Sequence, residues 1–406
     1  MVDTDFAWRL TQELVRIDSS DPGAYEDEIE RYFKALVEER LAQLSHPVLH
    51  AVQVEELEVL PGRRNLMVTV PGLSDEPRLV YICHMDTVTL GDGWDANTPP
   101  LGAVVRNDKL YGRGACDMKG GLACAIAALV HTLERVVANG ALPRRGFSLI
   151  CSVDEEDFMR GSEAAIDAGW VGSREWVLDT EPTDGRIQVA HKGRTWFEIE
   201  MAGATAHASQ PWKGADAVAA MAEAVCALRH AFAALPVHDE LGPSTITFGQ
   251  IEGGYRPYVV PDHAKVWVDM RLTPPTDTAA AINMVEHAIA AAEAAVPGCH
   301  GSYAVTGDRP AIERDPVSPL LAALKCAADD VTGTDTTVGF FTGYTDTAVI
   351  AGKTGNRSCM SYGPGSLALA HKPNEYVPHA DIVRCQSVLI ALADNVLWDA
   401  SGQVGA

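Results

Sequence analysis

Residues 78–88, Arg-Leu-Val-Tyr-Ile-Cys-His-Met-Asp-Thr-Val, form an apolar run that ends at His84. A run of this kind is typical of a central strand that is covered on both faces. Similar runs occupy residues 146–153 and 176–178, and an Ala- and Leu-rich helix is predicted at 118–139. Strands that alternate with helices predict an α/β sandwich with a mainly parallel sheet. The N-terminal part adds predicted helices at 6–16 and 26–39 and a strand at 64–70.

The pattern changes at about His191, where apolar and polar residues begin to alternate. The order strand, helix, strands, helix predicts a compact four-stranded α+β unit. From about Asp308 the first kind of pattern returns. We therefore predict an inserted domain at 191–307, which divides the α/β domain into residues 1–190 and 308–406. Within the insert, strands are predicted at 195–201 and 265–271, and helices at 215–235 and 278–295.

The charge of the chain limits its partners. The 406 residues include 32 Lys and Arg against 55 Asp and Glu, which gives a net charge of −23. A surface this acidic repels phosphate backbones and anionic lipids, so we expect no nucleic-acid partner and no membrane partner. It could favour a cationic substrate, although excess acid more often serves only to keep a protein in solution.

Cysteine usage and the absence of targeting signals predict a cytoplasmic protein. The nine cysteines are scattered without a Cys-x-x-Cys pair, which fits reduced thiols better than a disulfide framework. The first residues lack the basic-then-apolar pattern of a secretory signal. The longest apolar run, residues 122–130, is too short to span a bilayer.

Polar residues at the predicted strand ends carry the chemistry. His84 and Asp86 are two apart on a strand and so point the same way, as a metal-bound imidazole with a nearby carboxylate would. A half-buried histidine bonded to its neighbour is the alternative. Asp117 lies in a glycine-rich segment, 112–121, at the start of a predicted helix, where an N-cap aspartate would also lie.

Further carboxylates follow other apolar strands. The run Asp-Glu-Glu-Asp at 154–157 must be relieved of its mutual repulsion by cations or by solvent. In an extended segment Glu155 and Glu156 would face opposite sides, so that one could bind a metal while the other acts as a base. Glu181 follows the next strand, and His371 lies late in the chain after a Gly-Pro-Gly segment. Each of these could also be an ordinary polar turn.

Taken together, the polar groups indicate a metal site. Groups at the carboxyl ends of parallel strands converge on one rim of the sheet, which is where open α/β folds bind ligands. Mixed nitrogen and oxygen ligation suits zinc, with cobalt or manganese as tolerable substitutes.

The chain resembles the co-catalytic zinc peptidases and deacylases, which include acetylornithine deacetylase, succinyl-diaminopimelate desuccinylase, aminoacylase and glutamate carboxypeptidase. The strongest shared motifs are Gly-Arg-Gly-Ala-Cys-Asp-Met-Lys-Gly-Gly at 112–121 and Asp-Glu-Glu at 154–156. The resemblance implies a di-zinc exopeptidase-like α/β/α sandwich with an inserted ferredoxin-like α+β domain. That domain would serve as a lid and as the interface of a homodimer.

The resemblance also implies roles for the residues at the strand ends. Two divalent metal ions would be bound, with Asp117 bridging them. His84 and Glu181 would complete the first site, and Glu156 and His371 the second. Glu155 would be the general base, and Asp86 would orient His84. A cis peptide bond is expected between Asp117 and Met118.

In the inserted domain the resemblance places substrate-binding residues. His207 would stabilise the oxyanion, often in the partner subunit, and Arg271 would hold a substrate carboxylate. The alternative for Arg271 is a surface arginine paired with Asp269. Tyr258, Tyr344 and Thr345 stand where relatives line the substrate pocket. The two tyrosines depart from the usual Asn and Gly, so the substrate of any one relative does not carry over.

These features predict an enzyme that hydrolyses the amide bond of a small N-acyl amino acid with a metal-activated water. The alternative is an exopeptidase or dipeptidase that uses the same residues. A third possibility is a catalytically silent binding or structural protein on the same fold. The complete set of ligands plus a base argues against the third, because a silent protein has no need of them.

Overall fold

The computed structural model of the protein describes residues 3–398, which form two compact units. The first unit contains the described parts of Met1–Val189, Arg314–Phe341 and Thr345–Ala406. The second contains Ala190–Glu313 and Thr342–Tyr344. The second unit therefore interrupts the first along the chain.

Nine α-helices lie within residues 3–398: α1 (Phe6–Val15), α2 (Asp27–Leu44), α3 (Lys119–Asn139), α4 (Arg160–Asp167), α5 (Ala217–Ala233), α6 (Thr278–Ala295), α7 (Pro319–Thr332), α8 (Asp346–Thr354) and α9 (His379–Leu397). Short 3-10 helices cover Pro47–Ala51, Pro211–Lys213 and Leu367–Leu369.

The strands of the same described region are β1 (Ser20–Asp21), β2 (Gln53–Leu60), β3 (Arg63–Val70), β4 (Leu79–His84), β5 (Thr87–Val88), β6 (Val104–Arg106), β7 (Lys109–Tyr111), β8 (Phe147–Ser152), β9 (Trp176–Asp179), β10 (Ile187–His191), β11 (Gly193–Ala202), β12 (Ala206–His207), β13 (Val237–His238), β14 (Gly242–Pro243), β15 (Thr245–Gly253), β16 (Val259–Val260), β17 (His263–Leu272), β18 (His300–Arg309), β19 (Val338–Phe341), β20 (Cys359–Ser361) and β21 (Tyr376–Pro378).

An eight-stranded sheet in the order β19-β10-β20-β9-β4-β8-β3-β2 forms the centre of the first unit. Strands β20, β9, β4 and β8 run parallel to their neighbours within this group. Strands β10, β3 and β2 pair antiparallel. The prediction of a mainly parallel sheet is thus correct only for the centre, and the sheet as a whole is mixed. The four parallel strands end at the same edge, which is where the predicted site residues follow them.

Strand β4 is covered on both faces. All six of its residues are buried. Tyr81 and Cys83 face the core that also contains α1, α3 and α9, and the Tyr81 hydroxyl donates to the carbonyl of Leu389 at 2.8 Å. On the other side α8 packs against β4 and β9. Helices therefore cover both faces of the sheet, and the predicted α/β/α sandwich is confirmed.

Helix α3 is the central helix of this core. Its 21 residues are long and apolar enough to cross a membrane by length and composition alone, but 72% of the most apolar stretch is buried inside the protein. That degree of burial is typical of a core helix. The helix ends at Gly140, whose φ of 62° is a left-handed conformation that glycine adopts without steric cost.

Two elements near the N-terminus differ from the sequence-based expectation. Helix α2 extends to Leu44, beyond the predicted end at residue 39. Strand β2 was not predicted at all. It is the edge strand of the sheet, and Glu55, Glu56 and Glu58 interrupt its apolar residues, so it lacks the apolar run of a buried strand.

The second unit is a four-stranded antiparallel sheet in the order β15-β17-β11-β18, with α5 and α6 on one face. Along the chain its elements follow the order β-α-β-β-α-β, which together with the strand order is the ferredoxin-like arrangement. Phe197, Ile199 and Met201 of β11 face the helices and are buried. The alternating residues Trp196, Glu198 and Glu200 are half-buried, which is why the sequence alternates here.

One buried carboxylate in the first unit makes stability depend on pH. Glu30 of α2 is only 1% exposed. Burial, together with the neighbouring Glu56 carboxylate, raises the pKa of Glu30 from 4.5 to about 7, although Lys34 and Arg64 oppose the shift. The folded state therefore holds this proton over a pH range in which the unfolded chain has released it. Stability is lost as the pH rises through that range.

We expect Glu30→Gln to raise the free energy of unfolding by about 1–3 kcal/mol at pH 8, because each pKa unit is equivalent to about 1.4 kcal/mol. At pH 5.5 the gain should be smaller. Urea unfolding of both proteins at both pH values measures the difference. Glu28→Gln on the exposed face of the same helix is the control. An equal gain at the two pH values would show that ionisation of Glu30 is not the cause.

Candidate metal centre

The carboxylate of Asp117 lies between two histidines. Its Oδ1 is 3.3 Å from Nε2 of His84, and its Oδ2 is 3.3 Å from Nε2 of His371. Glu181 Oε1 lies 3.7 Å from His84 Nε2, and Glu156 Oε2 lies 2.9 Å from His371 Nε2. The structure therefore brings together all five residues that the sequence analysis predicted as metal ligands, with one histidine and one glutamate on each side of Asp117.

The strand ends explain why these residues meet. Neighbouring parallel strands β8, β4 and β9 finish at one edge of the sheet, and three of the five residues lie at the end of these strands or in the loops that follow them. His84 is the last residue of β4, Glu156 follows β8, Glu181 follows β9, Asp117 precedes α3, and His371 lies in the loop before β21.

The second ring nitrogen of His84 is fixed by the backbone. Nδ1 lies 2.9 Å from the carbonyl oxygen of Asp86, which can only accept a hydrogen bond, so Nδ1 carries the proton. In the neutral ring Nε2 then has a lone pair directed toward Asp117 and Glu181. This is the tautomer that a metal ligand needs. The Asp86 carboxylate also lies near, with Oδ1 3.7 Å from Nδ1.

The acidic run is a turn, so the expected extended segment was wrong. Residues 155–158 form turns between β8 and α4, and Asp154 has a φ of 68°. The two glutamates are still separated in space. Glu156 contacts His371, whereas Glu155 lies with His84 and Glu181, and it is only 7% exposed. The Asp86 carboxylate holds this turn, because it accepts the backbone N–H groups of Glu155 and Glu156 at 3.2 and 3.0 Å.

The pocket concentrates negative charge. Burial raises the pKa of Glu155 and of Glu181 well above the usual range, and neighbouring carboxylates raise it further. The carboxylates of Asp117 and Glu156 raise the pKa of His371 to about 10. Burial also opposes ionisation of Asp117, but the hydrogen bonds and positive charge that the two histidines supply when protonated hold its pKa below the usual range. Protons on the glutamates and on His371 compensate part of this negative charge, and a bound cation would compensate it instead.

The donor set fits a divalent cation. The ligand atoms of His84, Asp117 and Glu156 lie within 4.8 Å of one another, and so do those of His84, Glu155 and Glu181. Oε1 of Glu156 is buried and has no hydrogen-bond partner among residues 3–398. Imidazole nitrogen and carboxylate oxygen are ligands that zinc, cobalt and manganese accept.

A glycine allows α3 to approach the strand end that carries Glu181. A Cβ atom on Gly121 would lie 2.2 Å from the carbonyl oxygen of Thr180, a distance that no real contact reaches. Only glycine therefore permits this approach. It places the start of α3, and Asp117 before it, beside Glu181. The peptide bond between Asp117 and Met118 is cis, as predicted.

A buried ion pair holds the loops of Asp117 and His371 together, and the sequence analysis did not predict it. Oε1 of Glu375 accepts the backbone N–H groups of Cys116 and Asp117 at 2.9 and 3.1 Å. Its Oε2 accepts a hydrogen bond from Arg113 at 2.7 Å. Both side chains are almost fully buried. Glu375 lies four residues after His371, so one side chain ties the two loops to each other.

The remaining predicted residues are Thr345 in the first unit and four residues in the second. Thr345 is buried in the first unit, and its hydroxyl caps α8 by accepting the N–H of Ala348. The other four belong to the second unit.

His207 and Tyr258 are exposed and lie on or beside the paired strands β12 and β16. Arg271 donates two hydrogen bonds to Asp269 at 2.8 and 3.0 Å. Tyr344 is buried, and its hydroxyl donates to the carbonyl of Pro310.

Comparison with known proteins defines the class. Residues 80–395 match the model of the peptidase family M20/M25/M40. The chain is similar to a protein named probable succinyl-diaminopimelate desuccinylase from Staphylococcus aureus (strain MRSA252), with 26% identity over 353 residues, covering 80% of this chain and 84% of that protein.

Solved structures share the fold. One is the aminopeptidase PepT from Bacillus cereus, with a TM-score of 0.74 and 22% identity over 96% of this chain and 98% of that chain. Another is the YXEP protein of Bacillus subtilis, described as a dinuclear metal binding peptidase, with a TM-score of 0.70 and 16% identity over 97% and 99%. Because the family match covers most of the sequence, the chain belongs to the peptidase family M20/M25/M40. The expected family is confirmed, and with it a hydrolase that acts on amide bonds.

We expect Gly121→Ala to lower the free energy of unfolding by about 1–3 kcal/mol, because the new methyl group must displace backbone. Gly172→Ala is the matched control, since its Cβ would meet nothing nearer than 3.6 Å. Urea unfolding at one pH compares the three proteins. Equal stability of the two variants would mean that the contact between α3 and Thr180 is looser than described.

Proposed function

We propose that the protein is a metal-dependent deacylase that cleaves the amide bond of a small N-acyl amino acid. The observation that carries the proposal is the position of Asp117, which offers one carboxylate oxygen to each of two histidines. A carboxylate used in this way is suited to bridge two cations. The probable desuccinylase of Staphylococcus aureus supports an acyl amino acid as the substrate.

Five side chains would hold two divalent ions, for which zinc is our first choice and cobalt or manganese the alternatives. His84 and Glu181 would complete one site, and Glu156 and His371 the other, with Asp117 shared. Such ions lower the pKa of a water molecule and polarise the scissile carbonyl.

Glu155 is the proposed general base. Its carboxylate lies within 4.8 Å of the ligand atoms of His84 and Glu181, but it is not needed as one of the five ligands. It would accept a proton from the attacking water and later donate that proton to the nitrogen of the leaving amine. Asp86 would orient His84, whose Nδ1 already donates to the Asp86 carbonyl at 2.9 Å.

We assign substrate binding to the second unit, with Thr345 from the first. His207 would stabilise the oxyanion. Arg271 would bind a substrate carboxylate, since its bonds to Asp269 use Nε and Nη2 and leave Nη1 able to donate. Tyr258 and Tyr344 would contact the variable part of the substrate.

We further propose that the second unit, predicted as residues 191–307, acts as the lid and as the interface of a homodimer. A cytoplasmic location is supported by the nine cysteines, all of which are free thiols.

An exopeptidase or dipeptidase is the second candidate, because the family is one of peptidases and the same residues would serve both reactions. The two differ in the group that is released. A panel of N-acetyl and N-succinyl amino acids set against dipeptides, with the released amine measured, separates them.

Glu155→Gln should lower kcat by at least about 100-fold, which is the usual contribution of a general base, and should leave metal content unchanged. Asp157→Asn, an exposed member of the same acidic run, is the control and should keep normal turnover. Initial rates and metal content per chain are the readouts. Normal turnover of Glu155→Gln would exclude Glu155 as the base.

Removal of metal with a chelator should abolish amide hydrolysis and lower the melting temperature, because the ions bind only the folded state. Zinc or cobalt should restore both properties, whereas magnesium should not, since it prefers all-oxygen ligation. Full activity in a preparation shown by elemental analysis to be metal-free would contradict the proposal.

A further inference from the structure

Three buried side chains accept the backbone N–H groups of residues 153–156, at the start of the acidic run. Oδ1 of Asn65 accepts the N–H of Val153 at 3.1 Å, and Oε1 of Glu26 accepts that of Asp154 at 3.0 Å. The Asp86 carboxylate accepts the next two, from Glu155 at 3.2 Å and from Glu156 at 3.0 Å. Four consecutive N–H groups, from 153 to 156, are thus held by side chains from distant parts of the sequence.

Asn65 and Glu26 are committed to this contact. Both are completely buried. Asn65 also donates from Nδ2 to the carbonyl of Gly161 at 2.7 Å, so one amide joins the start of the turn to the start of α4. A buried polar side chain is costly unless its hydrogen bonds are satisfied, and the N–H groups of the turn satisfy these two.

Arg63 provides the positive charge for this arrangement. Its guanidinium donates to Glu26 at 2.7 Å and to Asp21 at 2.6 Å, and Nη1 lies 3.4 Å from the carboxylate of Asp154. Asp21, Glu26 and Asp86 have carboxylate oxygens within 4.8 Å of one another, as a cation site would. The arginine already neutralises two of them, so we assign this cluster to holding the acidic run rather than to a third metal ion.

We propose that Glu26 and Asn65 are positioning residues, which fix the turn so that the carboxylates of Glu155 and Glu156 point to their places in the pocket. The inference rests on the proposed function, because Glu155 is the proposed base and Glu156 a proposed ligand. A turn has no ladder of its own to satisfy these N–H groups. Without the side-chain acceptors the turn would sample other arrangements, and a displacement of about 1 Å at a reacting group can cost about 100-fold in rate.

The test separates positioning from folding. Glu26→Leu removes the acceptor but also leaves Arg63 buried without its closest partner, which alone could destabilise the protein. The double variant Glu26→Leu with Arg63→Met removes both charges, and such apolar replacements of a buried pair are commonly tolerated. Glu26→Gln keeps an oxygen acceptor for Asp154 and is the conservative rescue. Asn65→Ala tests the neighbouring contact independently of any charge.

The matched control is Glu30→Leu. Glu30 lies in α2 one helical turn after Glu26, which is the N-cap residue of that helix. It is buried almost as fully as Glu26 and is not among the side chains that accept the N–H groups of residues 153–156. Each protein is prepared metal-free, titrated with Co²⁺ while its visible absorption is recorded, and then assayed for kcat and KM. Circular dichroism and melting temperature confirm that each variant is folded.

The double variant and Asn65→Ala should each bind cobalt about 10- to 100-fold more weakly at one of two sites and lose kcat by a similar factor, with little change in KM. Glu26→Gln should recover most of both losses, and Glu30→Leu should behave as the wild type. Wild-type cobalt binding and kcat in both the folded double variant and folded Asn65→Ala would overturn the inference. If Glu155→Gln itself is fully active, the proposed function fails. If Glu155→Gln is inactive while the double variant and Asn65→Ala keep wild-type cobalt binding and kcat, only this inference is refuted.

Discussion

The burial of many carboxylates in one pocket is the constraint around which the first unit is organised. Asp117, Glu155, Glu156 and Glu181 lie together with two histidines. Burial opposes the ionisation of all four acids, and the pKa of each glutamate is raised. Such a cluster is unfavourable unless protons or cations compensate it. The surrounding fold does not separate these carboxylates or expose them to water but holds them close together. This arrangement is typical of a binding site rather than of a solvated acidic surface.

The fixing is done mainly through the backbone. Side-chain oxygens of Glu26, Asn65 and Asp86 accept the N–H groups of residues 153–156. Glu375 accepts the N–H groups of Cys116 and Asp117. The N–H groups of loops that follow parallel strands have no neighbouring strand to accept their hydrogen bonds. Buried side-chain oxygens accept these bonds instead. Gly121 contributes because it has no side chain, which allows the start of α3 to lie against the strand end. The residues that meet at the pocket are thus held in place by other side chains, which bond their backbone.

The sequence pattern predicted those elements that are determined by residues close together in the chain. The apolar run of β4, its end at His84 and the helix after Asp117 follow from periodicity and composition, and the family motifs supplied the proposed roles. Strand β2 was missed because an edge strand needs no apolar run. The acceptors were missed because Glu26 bonds a residue 128 positions away and Glu375 one 259 positions away. The sequence around a single glutamate does not show which distant residue it will bond. Consecutive acids after a buried strand, in contrast, do indicate that other groups must hold them in place.

Anomalous X-ray scattering from crystals of the zinc-loaded protein would locate each ion relative to the Asp117 carboxylate without any assay of activity. Two zinc peaks are expected, one on each side of the Asp117 carboxylate, with nitrogen and oxygen ligands at about 2.0–2.2 Å. His84 and Glu181 should bind the first ion, and Glu156 and His371 the second. A single peak, or peaks that lie away from Asp117, would contradict this assignment.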